Sequence, residues 1–117
     1  GKGPGNPPCR DSAGAEMLVL GAAIDQDGGI TVALRPQSGE LQQQRPLSSD
    51  ALGTPLSVKQ FGSLFLSWRQ HGLARYPACA YKAEARYDPR APAGKYEPAR
   101  RAIANYFSLS GPPAPVP

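Results

Sequence analysis

Few side chains in this sequence have the type and spacing that catalysis needs. The chain contains one histidine, His71, so a Ser–His–Asp arrangement would have to use it as the base. His71 precedes Gly72 at the end of a predicted helix, where an imidazole faces the negative end of the helix dipole, and we favour that interpretation. The sequence has no G-x-S-x-G nucleophile elbow and no glycine-rich phosphate loop. We therefore predict that the protein is not an enzyme.

No metal or cofactor site is predicted either. Metal sites need clusters of His, Cys, Asp or Glu, and neither cysteine has such a ligand nearby in the sequence. Asp25 and Asp27 resemble the start of a calcium-binding loop, but no glutamate follows at the closing position. We interpret this pair as part of a solvated turn.

The most suggestive group of side chains is a basic, tyrosine-containing segment between residues 86 and 101. We predict that it forms a contact surface, called here the basic surface, made of Arg86, Tyr87, Arg90, Lys95, Tyr96, Arg100 and Arg101. Pro98 fits the first position of a helix, which would place Arg100 and Arg101 in a first turn where positive charge opposes the dipole. Glu97 and Asp88 could offset that charge, and so could an external anion or an acidic partner.

Two interpretations of the basic surface stay open. Tyr87 and Tyr96 could stack on bases or sugars, as aromatic side chains do in nucleic-acid-binding proteins. Alternatively, the segment is a solvated basic loop that its prolines hold in place. The net charge of +4 permits nucleic-acid, anionic-lipid or acidic protein partners, but it is also common among small domains that have none of these.

The two cysteines, Cys9 and Cys79, are either free thiols or one disulfide. Their spacing excludes a C-x-x-C site. We favour the disulfide because the count is even in a small, proline-rich chain, and this favours an oxidising compartment, periplasmic or extracellular, over the cytoplasm. The sequence has no apolar run long enough for a transmembrane helix.

Local patterns predict the elements that carry these residues. Two apolar segments, Met17–Ile24 and Ile30–Leu34, flank "DQDGG" and predict a β-hairpin. Residues 35–53 are polar and rich in turn formers, so they predict a long loop with a short extended piece at Glu40–Gln44. A helix is predicted from Thr54, as its cap, and Pro55 to a left-handed Gly72. Its apolar face has helical spacing and comprises Val58, Phe61, Leu64, Phe65 and Trp68.

The second half of the chain predicts one strand and one more helix. Residues 79–87 alternate strictly, with Cys79, Tyr81, Ala83, Ala85 and Tyr87 on the inner face. The predicted fold is a small two-layer α+β domain in which the hairpin and at least one further strand pack against two helices. We place this domain at residues 15–110, between a flexible Gly/Pro-rich tail at residues 1–14 and a Pro-rich tail at residues 111–117.

This order of elements resembles the periplasmic domain of the ExbD/TolR family. The resemblance lies in "AIDQDGGITVALRP", which is similar to the opening hairpin of that family, and in "YKAEARYDP" followed by "GKYEPARRAIA". The chain departs from the family pattern at Glu84, which replaces the usual Asp, and in the length of residues 35–53. The transmembrane helix with its proton-coupling carboxylate is also absent from this chain. The resemblance implies a bacterial cell-envelope protein that contacts peptidoglycan or partner proteins.

These observations lead to one expected function and one alternative. We expect a non-enzymatic adaptor of the bacterial cell envelope that contacts a protein partner, or peptidoglycan, through the basic surface. The alternative is a cytoplasmic nucleic-acid-binding domain that uses the same residues. A small enzyme with an unrecognised site is the third class.

Overall fold

A computed structural model describes residues 6–117 and shows an α+β domain, which confirms the predicted fold class. In chain order the elements are β1 Leu18–Ile24, β2 Ile30–Leu34, α1 Gly39–Gln44, α2 Val58–Leu73, β3 Lys82–Tyr87, α3 Ala93–Tyr106, β4 Ser108–Leu109 and β5 Ala114–Pro115. Within residues 6–117, the sheet has the strand order β2-β1-β3-β4, and the short strand β5 also pairs with β3. Two long helices, α2 and α3, and one short helix, α1, complete the fold.

The predicted hairpin is confirmed, with β1 and β2 antiparallel and Ala23 opposite Thr31. In the turn between them, one carboxylate oxygen of Asp25 accepts hydrogen bonds from the backbone N–H groups of Asp27, at 2.9 Å, and Gly29, at 2.8 Å. The Asp25 side chain therefore organises the turn, as short acidic side chains commonly do. Gly28 adopts a φ of 85°, and a Cβ atom there would lie 2.8 Å from the Lys95 carbonyl oxygen. The turn thus rests directly on the first turn of α3.

The predicted alternation is confirmed for Lys82–Tyr87, which form β3. Ala80, expected on the solvated face, is instead buried, because the N-terminal segment at Pro8 pairs with it. β3 pairs in parallel with β1, so that Ala22 lies opposite Ala85 at the centre of the sheet. Ala83 and Ala85 are buried, whereas Glu84 and Arg86 lie on the opposite, uncovered face. The small inner side chains let the helices approach closely. Both α2 and α3 contribute to one core with this inner face, through Phe61, Phe65, Trp68, Ala99 and Ile103.

The chain between β2 and α2 differs from the prediction. The piece at Glu40–Gln44, expected to be extended, is part of α1, and a 3-10 turn at Pro36–Ser38 precedes it. Leu41 of α1 is 1% exposed. A helix this short is marginal without tertiary contacts, so burial of Leu41 stabilises it and the local sequence does not.

The start and end of α2 differ from the prediction as well. Ser57, not Thr54, caps α2: its hydroxyl accepts from the Gln60 N–H at 3.1 Å, and the Gln60 side chain accepts from the Ser57 N–H at 2.9 Å. This reciprocal pair is a capping box, which satisfies two backbone donors. Pro55 lies before the helix. Gly72 is not left-handed but stays within α2, where a Cβ atom would lie 2.6 Å from the Cys79 carbonyl oxygen.

The apolar face of α2 is largely as predicted, with one exception. Phe61, Phe65 and Trp68 are fully buried, and Leu64 is half-buried. Val58 is 40% exposed and does not belong to the core, because it lies at the first turn, beyond the edge of the buried face.

The segments predicted as tails contact the domain over part of their length. Gly1 to Gly5 lie outside the described residues. Cys9 is buried and bonded to Cys79, and its N–H donates to the Ala80 carbonyl at 2.8 Å. In the C-terminal segment, Ala114 and Pro115 pair in parallel with the end of β3.

Candidate functional site

The two tyrosines of the basic surface form a contact pair. Tyr87 ends β3 on its inner face, and Tyr96 lies in the first turn of α3. Their ring centroids are 5.0 Å apart, with the ring planes inclined at 58°. Both rings are partly buried against the core, and burial raises the pKa of Tyr96. The pair joins the strand end to the helix start and leaves only part of each ring available to a partner.

Arg90 is paired with Asp88 inside the connector. Its Nε and Nη2 atoms lie 3.0 and 2.8 Å from the two carboxylate oxygens, and its backbone N–H also donates to Asp88. These hydrogen bonds from Arg90 lower the pKa of Asp88 to about 2. The carboxylate therefore stays ionised at neutral pH and neutralises the guanidinium beside it.

Arg100 and Arg86 are also paired with acidic side chains. Arg100 donates to both carboxylate oxygens of Glu97, at 3.0 and 3.4 Å, and this hydrogen bonding lowers the pKa of Glu97. Arg86 lies 3.7 Å from Glu84 on the uncovered face of the sheet. Because successive residues of a strand point to opposite faces, the structure separates Arg86 from Tyr87.

The predicted helix start at Pro98 is wrong. α3 begins at Ala93, so Pro98 lies inside it, and Arg100 and Arg101 lie about two turns beyond the start. The helix dipole acts on charges mainly within the first and last turns, so the predicted repulsion on these arginines does not arise. The cation in the first turn of α3 is Lys95, and neither arginine lies there.

Two cations of the basic surface lie outside its ion pairs, although the charge of Arg101 also helps to lower the pKa of Glu97. Within residues 6–117, Lys95 and Arg101 form no ion pair, and both are exposed on α3. The basic surface is therefore less basic than its composition suggests, because three of its arginines are neutralised by the chain itself.

His71 has a role that the sequence did not reveal. Its Nδ1 atom lies 2.8 Å from the Tyr81 hydroxyl, and its Nε2 atom contacts the side-chain oxygen of Gln44. Burial lowers the pKa of His71, and the positive charges of Arg45 and Arg75 lower it further, while Glu40 opposes them. His71 does lie in the last turn of α2, as predicted, and the lowered pKa weakens the attraction that a protonated imidazole would have for the helix dipole.

Beside His71 lies a cavity of about 480 Å³ that no pattern in the sequence indicates. Its walls come from the N-terminal segment, α1, the end of α2 and the residues that follow α2. They include Arg10, Met17, Glu40, Leu41, His71, Arg75 and Tyr81. The lining residues are far apart in the sequence, and only the predicted Cys9–Cys79 disulfide indicated that Arg10 and Tyr81 come together.

Within the described part of the chain, no three His, Cys, Asp or Glu side chains cluster in a way that could hold a metal ion. Among the helices of residues 6–117, none combines the length and the apolar character needed to cross a bilayer.

Comparisons with protein-family models, with curated proteins and with solved structures find no match. The resemblance to the ExbD/TolR family therefore stays a prediction.

Proposed function

We propose that this protein is a non-enzymatic interaction module of the bacterial cell envelope that contacts a protein partner through the basic surface. The observation that supports this most is the exposure of Lys95 and Arg101 on α3, where neither forms an ion pair within residues 6–117. The first turn of the same helix carries the partly exposed Tyr96. Interfaces commonly combine an aromatic anchor with cations at a solvated rim. Peptidoglycan, which carries carboxylates, is the second candidate partner for the same cations.

The location that we propose is periplasmic or extracellular. The Cys9–Cys79 disulfide supports it, because structural disulfides form and persist in oxidising compartments and are rare in the cytoplasm.

Nucleic-acid binding is the less favoured function for a specific reason. Three of the five cations in the basic surface already have carboxylate partners, and this leaves Lys95 and Arg101 for phosphate contacts. Two phosphate contacts give a log–log salt slope of about −1.8 and the weak affinity of non-specific attraction. We expect no binding to single- or double-stranded oligonucleotides tighter than about 10⁻⁵ M at physiological salt.

Photo-crosslinking in bacterial cells tests the proposal. A photoreactive amino acid at position 101 should crosslink to a discrete partner protein, because this position lies on the proposed interface. The same amino acid at position 43, exposed on α1, is the matched control and should not. Adding Lys95→Glu should remove the crosslink from position 101, whereas Arg35→Glu, with the same change in charge, should leave it.

Two results would overturn the proposal in favour of an alternative. Sub-micromolar oligonucleotide binding that Lys95→Glu plus Arg101→Glu abolishes would make nucleic acid the partner. Cosedimentation with purified peptidoglycan that the same two substitutions abolish, without any protein crosslink, would make peptidoglycan the partner.

A further inference from the structure

The cavity beside His71 is held open by the core of the fold. Cys9, which is 0% exposed, directly precedes Arg10 in one wall, and Cys79 lies just before Tyr81 in another, so the disulfide fixes both walls. Gly72 keeps this junction tight, because a side chain there would collide with the Cys79 backbone. The volume of about 480 Å³ falls within the range of small-molecule sites, roughly 300–1,000 Å³.

The cavity presents one guanidinium, that of Arg75, and two carboxylates, those of Asp11 and Glu40, that form no ion pair within residues 6–117. Arg75 donates from Nη2 to the Arg10 carbonyl at 3.0 Å and from Nη1 to the Met17 sulfur at 3.6 Å, which leaves several of its five N–H donors free. Within residues 6–117, Arg75 has no carboxylate partner, and Glu40 has no cationic partner. Glu40 is exposed at the cavity rim on α1.

The other two charged residues of the lining are engaged elsewhere. Arg10 is paired with Glu16 at 3.4 Å and donates to the Gly14 carbonyl at 2.8 Å. One oxygen of Asp11 accepts from two backbone N–H groups of its own turn, both at 2.9 Å. The two bonds to Asp11 hold that carboxylate in its own turn, whereas Glu40 accepts only a long contact from the Gln44 side chain, at 3.5 Å. Arg75 and Glu40 are therefore the opposite charges that the chain itself engages least.

An apolar surface lies alongside these charges. Met17, Leu41 and Tyr81 line the cavity, and each is less than one-tenth exposed. The hydroxyl of Tyr81 is occupied by His71, so its ring, and not its polar atom, is the part that remains for a ligand. The lining thus combines a cation, an anion and an apolar patch within one small volume.

We propose that this cavity binds a small zwitterion with an apolar group, namely an amino acid or a short peptide. The ligand carboxylate pairs with Arg75, whose planar fork matches a carboxylate, and the ligand ammonium pairs with Glu40. The apolar group packs against Met17, Leu41 and Tyr81. This site is separate from the basic surface and does not depend on the function proposed for it.

His71 provides a direct readout because it is the chain's one histidine. Its ring lies at the cavity beside Arg75, Glu40 and Tyr81, with Arg45 nearby. A ligand carboxylate on Arg75 would offset a positive charge and raise the pKa of His71. A ligand ammonium on Glu40 would offset a negative charge and lower the pKa.

The test uses the dipeptide Ala-Leu with the full chain and follows the His71 ring signals by NMR. N-acetyl-Ala-Leu lacks the ammonium, and Ala-Leu amide lacks the carboxylate. We expect saturable shifts with Ala-Leu, with each modified form binding about tenfold more weakly, since a charge-assisted contact contributes about that much. The acetylated form should raise the pKa of His71, and the amide should lower it.

Two variants assign the contacts. Arg75→Gln should remove the preference for Ala-Leu over its amide, and Glu40→Gln should remove the preference over the acetylated form. Arg45→Gln is the matched control: it changes the charge near His71 outside the cavity lining and should leave both preferences intact. Arg75→Lys keeps the charge without the fork and should give an intermediate loss, which separates recognition from misfolding.

Equal binding of the three peptides would overturn the proposal, because two charge-assisted contacts should favour Ala-Leu over both modified forms. The absence of a saturable shift up to about 10 mM would also overturn it, because a dissociation constant above that value corresponds to a binding free energy of less than about 3 kcal/mol. Preferences that survive both Arg75→Gln and Glu40→Gln would also overturn it.

Discussion

Trp68 is the residue on which the core most depends. It is fully buried, its ring packs against Phe65 and Phe107, and its indole N–H donates to the Arg45 carbonyl at 2.9 Å. Trp68→Ala should lower the free energy of unfolding by about 3–5 kcal/mol, as removal of a large buried ring does. Urea denaturation followed by far-UV circular dichroism measures this, because the variant lacks its tryptophan.

Trp68→Phe is the matched control for the hydrogen bond. It keeps most of the apolar contact but leaves the Arg45 carbonyl without its donor, so the cost should be smaller than that of Trp68→Ala. Wild-type tryptophan fluorescence with the maximum of a fully exposed indole would contradict the placement of Trp68 in the core.

At the scale of elements, the capping box of α2 gives a sharp comparison between two neighbouring hydroxyls. Ser57→Ala removes the acceptor for the Gln60 N–H and should cost about 1 kcal/mol in the free energy of unfolding. Thr54→Ala, three residues earlier, removes a side chain that does not cap α2 and should change stability by less than about 0.5 kcal/mol. A larger loss of stability in Thr54→Ala than in Ser57→Ala would show that Thr54 is the cap.

Elements with strong local patterns could be predicted from the sequence, whereas boundaries set by tertiary contacts could not. The hairpin and β3 were predictable because turn residues and alternation act over a few neighbours. The start of α3 was missed because proline favours a first helical position, yet Pro98 is the sixth residue of α3. There it has no N–H for the bond to the Gly94 carbonyl, and the helix continues through it. Helix α1 depends on the burial of Leu41, which no local sequence pattern predicts.

For the candidate sites as well, residue types could be predicted from the sequence, whereas tertiary contacts could not. The basic surface was found as a run of residue types, but its three ion pairs depend on how the side chains fold back, so its charge was overestimated. The cavity beside His71 was not predictable, because its walls join residues as distant as Arg10 and Arg75.

At the scale of the whole molecule, the disulfide should contribute a large share of the stability. It closes a loop across a separation of 70 residues, which the chain-entropy model values at about 4 kcal/mol. Cys9→Ala plus Cys79→Ala should therefore lower the free energy of unfolding by about 2–4 kcal/mol relative to the oxidised protein. The single variant Cys79→Ala should lose nearly the whole amount, because either substitution opens the loop.

Mass spectrometry of the native protein checks the premise of that experiment. Because both cysteines are buried, the protein is unfolded in denaturant before alkylation. Without reductant the mass should then stay unchanged, whereas alkylation after reduction should add two groups. Two alkylated thiols in protein taken from its own compartment would remove the disulfide, and with it the main support for an envelope location.

The separation of the two cysteines also determines when the bond can form during synthesis. Cys9 leaves the ribosome long before Cys79, and the backbone partner of Cys9, Ala80, arrives just after Cys79. Until then, the N-terminal segment lacks its pairing partner, so Cys9 is a free thiol on the growing chain. Between the two cysteines of this sequence, any bond other than Cys9–Cys79 within one chain must join two molecules. In the oxidising compartment proposed above, a high concentration of newly made chains should therefore yield covalent dimers through Cys9, and a low concentration should yield monomers.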